Sequence, residues 1–342
     1  MPAKDRSPDP NRPSIALVGC STLLGKEIKE RLSAGRLFAS RVQLFETGSR
    51  EGALTDFAGE AAIALNVEPD SLEDVDLVIL ACPPADGDRV LSYARKAEAL
   101  VIDLSGGSSS AAAPVVNWEV NKHQVADHHG LLRAAQPTSL MLSTVLHALE
   151  SQVAVVSVEA VVFEPASSIG QDAMDELYRQ AVNLFNFGSI PRDTFGRQIA
   201  FNLLPLTLAP ALGGSERERS LARETLRVLG WEEGKLSLKM MLAPVFHCHA
   251  ALIRFTPAGS IQPSMLLSTL GRMEPLSADS AGAEEGPGTP VEWAGEEKIR
   301  IVEIREDGRG ALWMWALVDD LKAGAALNAV RIAEALFPPD RP

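Results

Sequence analysis

The chain has 342 residues, 46% of them hydrophobic, and a formal net charge of −13. That length suffices for about two domains with a core each, and the negative balance repels a nucleic-acid polyanion, so nucleic-acid binding is not expected and an acidic substrate needs a local basic site. The longest apolar runs, near 203–212 and 153–163, fall short of the ~18 residues of a membrane span, the amino terminus shows no signal core, and Cys20, Cys82 and Cys248 are too scattered for a disulfide framework or a metal site, so a cytoplasmic, membrane-free, metal-free protein is expected.

Residues 1–13 are charged and proline-rich and read as a flexible tail. Ser14-Ile15-Ala16-Leu17-Val18 is a short apolar strand that turns at Gly19, and 25–33 has helical spacing with Ile28 and Leu32 on one face. Strands follow over 42–45, 76–81, 100–104 and 130–134, with helical spacers such as 88–99. Buried strands alternating with helices predict a parallel sheet covered on both faces.

After Pro137 a helix over 140–150 leads into a β-branched run, 153–163. Amphipathic helices are predicted over 173–187 and 216–229, the first with Leu177, Ala181 and Leu184 on one side. Strand-like segments at 200–206, 250–255, 299–304 and 311–318 lack helical crossovers, which predicts an α+β arrangement with a mostly antiparallel sheet. The Gly-, Ala- and Glu-rich stretch 278–295 reads as a surface loop, and 324–336 as a helix stopped by a proline-rich tail.

The fold class expected is therefore α/β: a Rossmann-type parallel-sheet domain over 14–135, completed by a carboxy-terminal helix at 324–337, and a second domain with a mostly antiparallel sheet over 136–323.

Gly19-Cys20-Ser21-Thr22-Leu23-Leu24-Gly25 lies between a strand and a helix, the context of a dinucleotide fingerprint. The middle position, where a glycine lets the backbone approach a pyrophosphate, holds Thr22. Its bulk weakens or displaces a cofactor, although its hydroxyl can donate to a phosphate and the helix N-terminus attracts one. Ser21, Leu23 and Leu24 complete the candidate phosphate loop. At the end of the second strand Glu46 suits a ribose diol, whereas Ser49 and Arg50 suit a 2′-phosphate, and the choice between NAD and NADP stays open.

Further motifs are Val101-Ile102-Asp103, Glu119-Val120-Asn121, Ala200-Phe201-Asn202-Leu203-Leu204-Pro205, Pro244-Val245-Phe246 ahead of His249, and Gly324-Ala325-Ala326-Leu327-Asn328-Ala329-Val330. With the glycine loop they make the chain resemble the aspartate-semialdehyde dehydrogenase family along nearly its full length. Phe195-Gly196-Arg197-Gln198 makes it more similar still to the Usg-type homologues within that family.

The resemblance implies an NADP- or NAD-binding domain, a homodimer formed through the second domain, and reductive dephosphorylation of a small anionic substrate, aspartyl phosphate. It also implies a site: a cysteine at a helix start as nucleophile, a histidine as acid/base, a glutamine orienting the thioester, and arginine and lysine holding carboxylate and phosphate.

Carried over residue by residue, the cysteine falls at Pro137, within one residue, and the glutamine at Glu164. The cations fall at Leu242, at Ser108 or Ser109, and at Ser220, so only His249 is retained. Without a cysteine, His249 reads as a hydrogen-bonded structural residue. Thr138 and Ser139 read as hydroxyls satisfying the free amides of a helix start, and Cys248 should face away from His249. Three functions follow: a non-catalytic member of the family, an oxidoreductase acting on another carbonyl compound with His249 or Glu164 as proton donor, or a partner of a true dehydrogenase.

Overall fold

The computed structural model describes residues 13–34, 39, 41–48, 54–107, 112–278 and 288–338. The expectations for nearly all of the amino-terminal tail, for half of the loop 278–295 and for the last four residues lie outside them. The described chain divides into two compact units. One comprises the residues up to Trp118, Lys122–Ala134 and the chain from Ala326 onward, and the other comprises Glu119–Asn121 and Ala135–Ala325.

The first unit begins with β1 (Ser14–Val18), α1 (Leu23–Ala34), β2 (Arg41–Glu46), a hairpin of β3 (Leu54–Phe57) and β4 (Glu60–Ile63), and β5 (Leu65–Asn66). Then come β6 (Leu77–Leu80), α2 (Pro84–Lys96), β7 (Leu100–Asp103), β8 (Val115–Val116), a short α3 (Trp118–Asn121) and β9 (Leu131–Ala134). The seven-stranded sheet has the order β5-β2-β1-β6-β7-β9-β8, and every neighbouring pair in it is parallel.

Because strand side chains alternate, the apolar run of β1 serves two cores at once. Ile15 and Leu17 join Ile28 and Leu32 of α1 on one face, and Ala16 and Val18 join Val90, Leu91 and Ala94 of α2 on the other. The carboxy-terminal α9 (Leu327–Leu336) covers the α1 face with Ala329, Val330 and Ala333, small residues that allow close approach. Asn328 ties it down, accepting from Trp118 N at 2.9 Å and donating to Val116 O at 2.9 Å.

The second unit runs α4 (Pro137–Glu150), β10 (Val155–Glu164), α5 (Gln171–Phe185), β11 (Leu204–Pro205), α6 (Gly214–Leu229), β12 (Leu236–Leu242) and β13 (His249–Pro257). It continues through α7 (Pro263–Leu270), β14 (Leu276–Ser277), α8 (Pro290–Trp293), β15 (Ile299–Glu306) and β16 (Leu312–Val318). Its seven strands are ordered β11-β12-β10-β13-β16-β15-β14. The sheet is mixed, with β10 parallel to β12 and β14 parallel to β15 and the other four neighbouring pairs antiparallel. Helix α4 is enclosed nearly all round, its small hydroxyl residues Thr138, Ser139, Ser143 and Thr144 buried with its apolar ones, and only Pro137, His147 and Glu150 fail to be buried.

Three local expectations are corrected, and one strand was not foreseen. The strand predicted over 200–206 is a turn-rich loop with only Leu204–Pro205 paired, since Pro205, Pro210 and the left-handed Gly213 and Gly214 break up the apolar run. The single helix predicted from Gly324 begins instead as a π turn, Lys322–Ala326, and becomes α-helical at Leu327. Strand β12 went unpredicted although Leu236, Leu238, Met240 and Leu242 are its buried, alternating side. The loop expected over 278–295 contains a helical turn, α8, closed by a Thr289–Glu292 capping box.

Candidate functional site

The glycine loop is held by backbone and side chain together. Phe45 O accepts from the amides of Gly19 at 2.8 Å and Cys20 at 3.2 Å. Gly19 has φ +87°, and a Cβ there would stand 2.7 Å from Ala81 O; a Cβ on Gly25 would stand 2.1 Å from Gly19 O. The two glycines thus let the loop, the start of α1 and the end of β6 close on one another. Thr22, expected as a phosphate donor or an obstruction, is a clamp: its hydroxyl lies 2.8 Å from Gly19 O and 2.9 Å from Ala81 O and accepts from Gly25 N at 2.9 Å.

Glu46 turns inward from the end of β2 and is buried. Its Oε1 accepts from Ser21 N and from Cys20 Sγ, and burial, reinforced by this carboxylate, pushes the Cys20 thiol up to about 12. Among the described residues the amides of Leu23 and Leu24, in the first turn of α1, have no partner. They are the donors such a loop offers to an anion. Ser49 and Arg50 lie outside the described residues, as do Ser108 and Ser109.

In the second unit the structure brings together Glu164 and His249 and adds a residue the sequence reading missed. Glu164 ends β10 and is paired in register with Leu242. Arg217, in the first turns of α6, holds it with Nη1 on Oε2 at 3.1 Å and Nη2 on Oε1, and Ser168 Oγ donates to Oε1 at 2.7 Å. Burial pushes the Glu164 carboxyl up, but Arg217, His249 and Ser168 outweigh it, and the group is held below the usual carboxylate range. Glu164 is therefore an anion and an acceptor, which corrects the expectation of a proton donor.

His249 opens β13 opposite Val318 and is buried. Burial, opposed by Glu164 and added to by Arg217, brings it down to about 4, so the ring is neutral at pH 7. Its Nδ1 is buried and has no partner among the described residues, so that nitrogen does not make the hydrogen bond expected of a structural histidine. The positions named for the lost cations hold no substitute: Leu242 is buried in the core and Ser220 is exposed on α6. Arg217, one turn before Ser220, supplies the positive charge. No spacing rule links it to a strand residue 53 positions earlier.

At the head of α4, Pro137 occupies the first helical position after an extended Gln136. Gln136 N donates to Glu224 Oε1 at 2.8 Å, and the Ser139 hydroxyl donates to the same oxygen or to Gln136 O, 3.1 Å away. The Gln136 side chain makes no capping bond, and the Ser139 hydroxyl, expected to satisfy a free amide, is instead a donor to Glu224 or Gln136 O. Gly324 backs this end, and a Cβ on it would lie 3.0 Å from Pro137 Cβ.

A second buried group, also missed, lies where β16 gives way to the turn before α9. Asp319 accepts from the amides of Gly295, Leu321 and Lys322 at 2.7–3.1 Å. Asp320 accepts from Ser167 Oγ at 2.8 Å and from Cys248 N at 3.1 Å, and burial lifts it to about 7. Two acidic residues directly after an apolar strand were the available signal. Cys248 has φ +72° and packs with Ala250, Trp293, Val302 and Leu317. Burial and the two aspartates push its thiol up, which makes it a poor nucleophile.

A glycine loop between the first strand and first helix of a parallel sheet is the build of a dinucleotide-binding domain, here followed by a mixed-sheet domain in which Arg217 holds the buried Glu164 near His249. Residues 14–128 match the family model of the semialdehyde dehydrogenase NAD-binding domain and residues 146–322 that of the semialdehyde dehydrogenase dimerisation domain, and the chain belongs to the semialdehyde dehydrogenase family. It is 28% identical to an aspartate-semialdehyde dehydrogenase of Prochlorococcus marinus, over 97% of this chain and 98% of that protein. It is 29% identical to a USG-1 protein homolog of Azotobacter vinelandii, over 94% and 97%. A solved structure of a probable aspartate-semialdehyde dehydrogenase from Pseudomonas aeruginosa superposes with a TM-score of 0.87 at 27% identity, covering 96% of this chain and 99% of that one. Among the described residues no helix is long and apolar enough to cross a membrane.

Proposed function

We propose that this chain is a member of the family that keeps the nicotinamide-nucleotide site but lacks the phosphorylating dehydrogenase reaction. The head of α4 carries the reading. Acyl transfer to a thiol needs a sulfur held as thiolate, commonly at a helix N-terminus. Here that place holds Pro137, and Gln136 N and the Ser139 hydroxyl already face a carboxylate, Glu224. Of the three cysteines only Cys248 belongs to this unit, and its thiol is buried among apolar groups.

The glycine loop fits a dinucleotide on one observation of its own, the two unpartnered amides of Leu23 and Leu24 at the start of a twelve-residue helix. They would hold the pyrophosphate, with Thr22 keeping the loop in shape. A bound nicotinamide would supply or accept hydride.

The test is purified protein with aspartate semialdehyde, phosphate and NADP or NAD. No cofactor reduction above background is expected, and turnover near ~1–1000 per second would overturn the reading.

The unpartnered Nδ1 of His249 favours a second reading, non-covalent chemistry on another carbonyl compound. A neutral imidazole beside an ionised Glu164 can bond a hydroxyl or carbonyl oxygen without adding charge. A panel of small aldehydes and ketones with NADH or NADPH tests it. Reduction abolished by His249→Asn supports this reading, and no turnover of any of them refutes it.

The same proposal includes a homodimer. The outward side of β10, β13 and β16 leaves Val161, Leu252 and Trp313 only half-buried, as expected of a face that meets a second copy. Light scattering should give a dimer for the wild type and a monomer for Leu252→Glu; a monomeric wild type removes this part.

A further inference from the structure

We propose that Glu46 makes the nucleotide site selective for NAD(H) over NADP(H), an inference that rests on the reading that the Gly19–Gly25 loop binds a dinucleotide. In a parallel sheet of this kind the adenosine ribose lies beside the end of the second strand, next to the glycine loop. Glu46 is the last residue of β2, and Phe45 before it is in register with Val18, the residue that leads into the loop.

Glu46 is only 2% exposed. Its Oε1 is fixed by Ser21 N and the Cys20 thiol, whereas Oε2 has no partner among the described residues. An oxygen already oriented by its neighbour's bonds accepts the 2′- and 3′-hydroxyls of a ribose with little further ordering. A 2′-phosphate in that place instead brings up to two negative charges against a buried anion, where screening is weak.

The surroundings add to the discrimination. Thr47, the next residue, donates to Asp86 Oδ2 at 2.8 Å, which places a second carboxylate beside the end of β2. Arg89 is engaged with that same aspartate at 2.9 Å. Lys29, close enough to influence Cys20, has its ammonium on Thr55 Oγ1 and on Asp56 O at 3.1 Å. Among the described residues, neither Arg89 nor Lys29 offers an unengaged cation to a 2′-phosphate.

A mere loop clamp and a specificity residue are separated by their response to loss of charge. Glu46→Gln keeps the size of the side chain and an oxygen for Ser21 N, but removes the repulsion. Calorimetric titration of the full chain with NADH and with NADPH is the experiment, with thermal melting to establish that the variant is folded. NADH should bind the wild type at least about ten-fold more tightly than NADPH, and the variant should lose most of that ratio through tighter NADPH binding. Equal or preferred binding of NADPH by the wild type, or a folded variant in which both affinities change together, overturns the inference. Binding of neither nucleotide at millimolar concentration overturns the dinucleotide reading itself, and the selectivity with it.

Discussion

Arg217 grips both carboxylate oxygens of Glu164 while the carboxylate lies fully enclosed and the guanidinium stays one quarter exposed. The pair explains how an acidic residue is tolerated at the end of a central strand. Removing one partner of a buried pair strands the other, at a cost of roughly 3–5 kcal/mol. Arg217→Leu should lose about that much stability in urea denaturation, and adding Glu164→Gln should restore a large part of it. An Arg217→Leu protein within about 0.5 kcal/mol of the wild type would mean that the pair does not hold the strand end.

His249 and Asp320 give the fold two opposed responses to pH. The folded value of His249, about 4, lies below its ordinary 6.5, so between them the unfolded chain holds the proton and stability rises with pH. Asp320 at about 7 lies above its ordinary 3.8, so across that window the folded chain holds the proton and stability falls as pH rises. Each slope is at most about 1.4 kcal/mol per pH unit. Asp320→Asn should leave a stability that climbs with pH from about 4 to 6.5, and His249→Asn one that declines up to about 7. Urea midpoints at a series of pH values check this. Profiles of both variants parallel to the wild type would show that neither group titrates on unfolding.

Much of the scaffold was legible because burial on both faces leaves a plain record. β1, β6 and β7 are unbroken apolar runs, and the spacing of Ile28 and Leu32 marks the inner side of α1. The loop after α5 was misread because an apolar composition cannot distinguish a strand from a turn held by distant side chains. Strand β12 alternates as a strand should, but Lys239 and Ser237 on its outer side interrupt the apolar run. At the site, His249, Glu164 and Pro137 could be placed by motif. Arg217, Glu224 and Asp320 could not, since each acts on a partner distant in sequence: Glu164, Gln136 and Ser167.

Restoring a cysteine to the head of α4 should not by itself restore a reactive thiolate. In Pro137→Cys the new sulfur stands beside a helix end whose Gln136 amide and Ser139 hydroxyl bind Glu224, and a neighbouring negative charge raises a thiol's pKa. The pH dependence of alkylation, followed by mass spectrometry at residue 137, should place that thiol at or above about 8.5. Adding Glu224→Gln should lower it by about one unit or more. A single-variant thiol already below about 7 would mean that the helix end outweighs Glu224.

The loop between α5 and α6 is held by two buried side chains of α5 rather than by strand pairing. Gln180 Oε1 accepts from the amides of Ile199 at 2.7 Å and Ala200 at 3.0 Å, and its Nε2 donates to Pro191 O at 2.8 Å and Arg197 O at 3.1 Å. Glu176 accepts from the amides of Thr194 and Phe195. Above this network Phe185 meets Phe201 edge to face at 5.6 Å, although both rings are exposed. Gln180→Leu keeps the bulk but orphans the Ile199 and Ala200 amides in a buried place, at about 1–3 kcal/mol each. The loss should be local: hydrogen exchange should accelerate over residues 191–203 while β10 and β13 stay protected. Faster exchange spread evenly over the whole unit would instead make Gln180 part of the global core, and unchanged exchange would show that the backbone holds the loop without it.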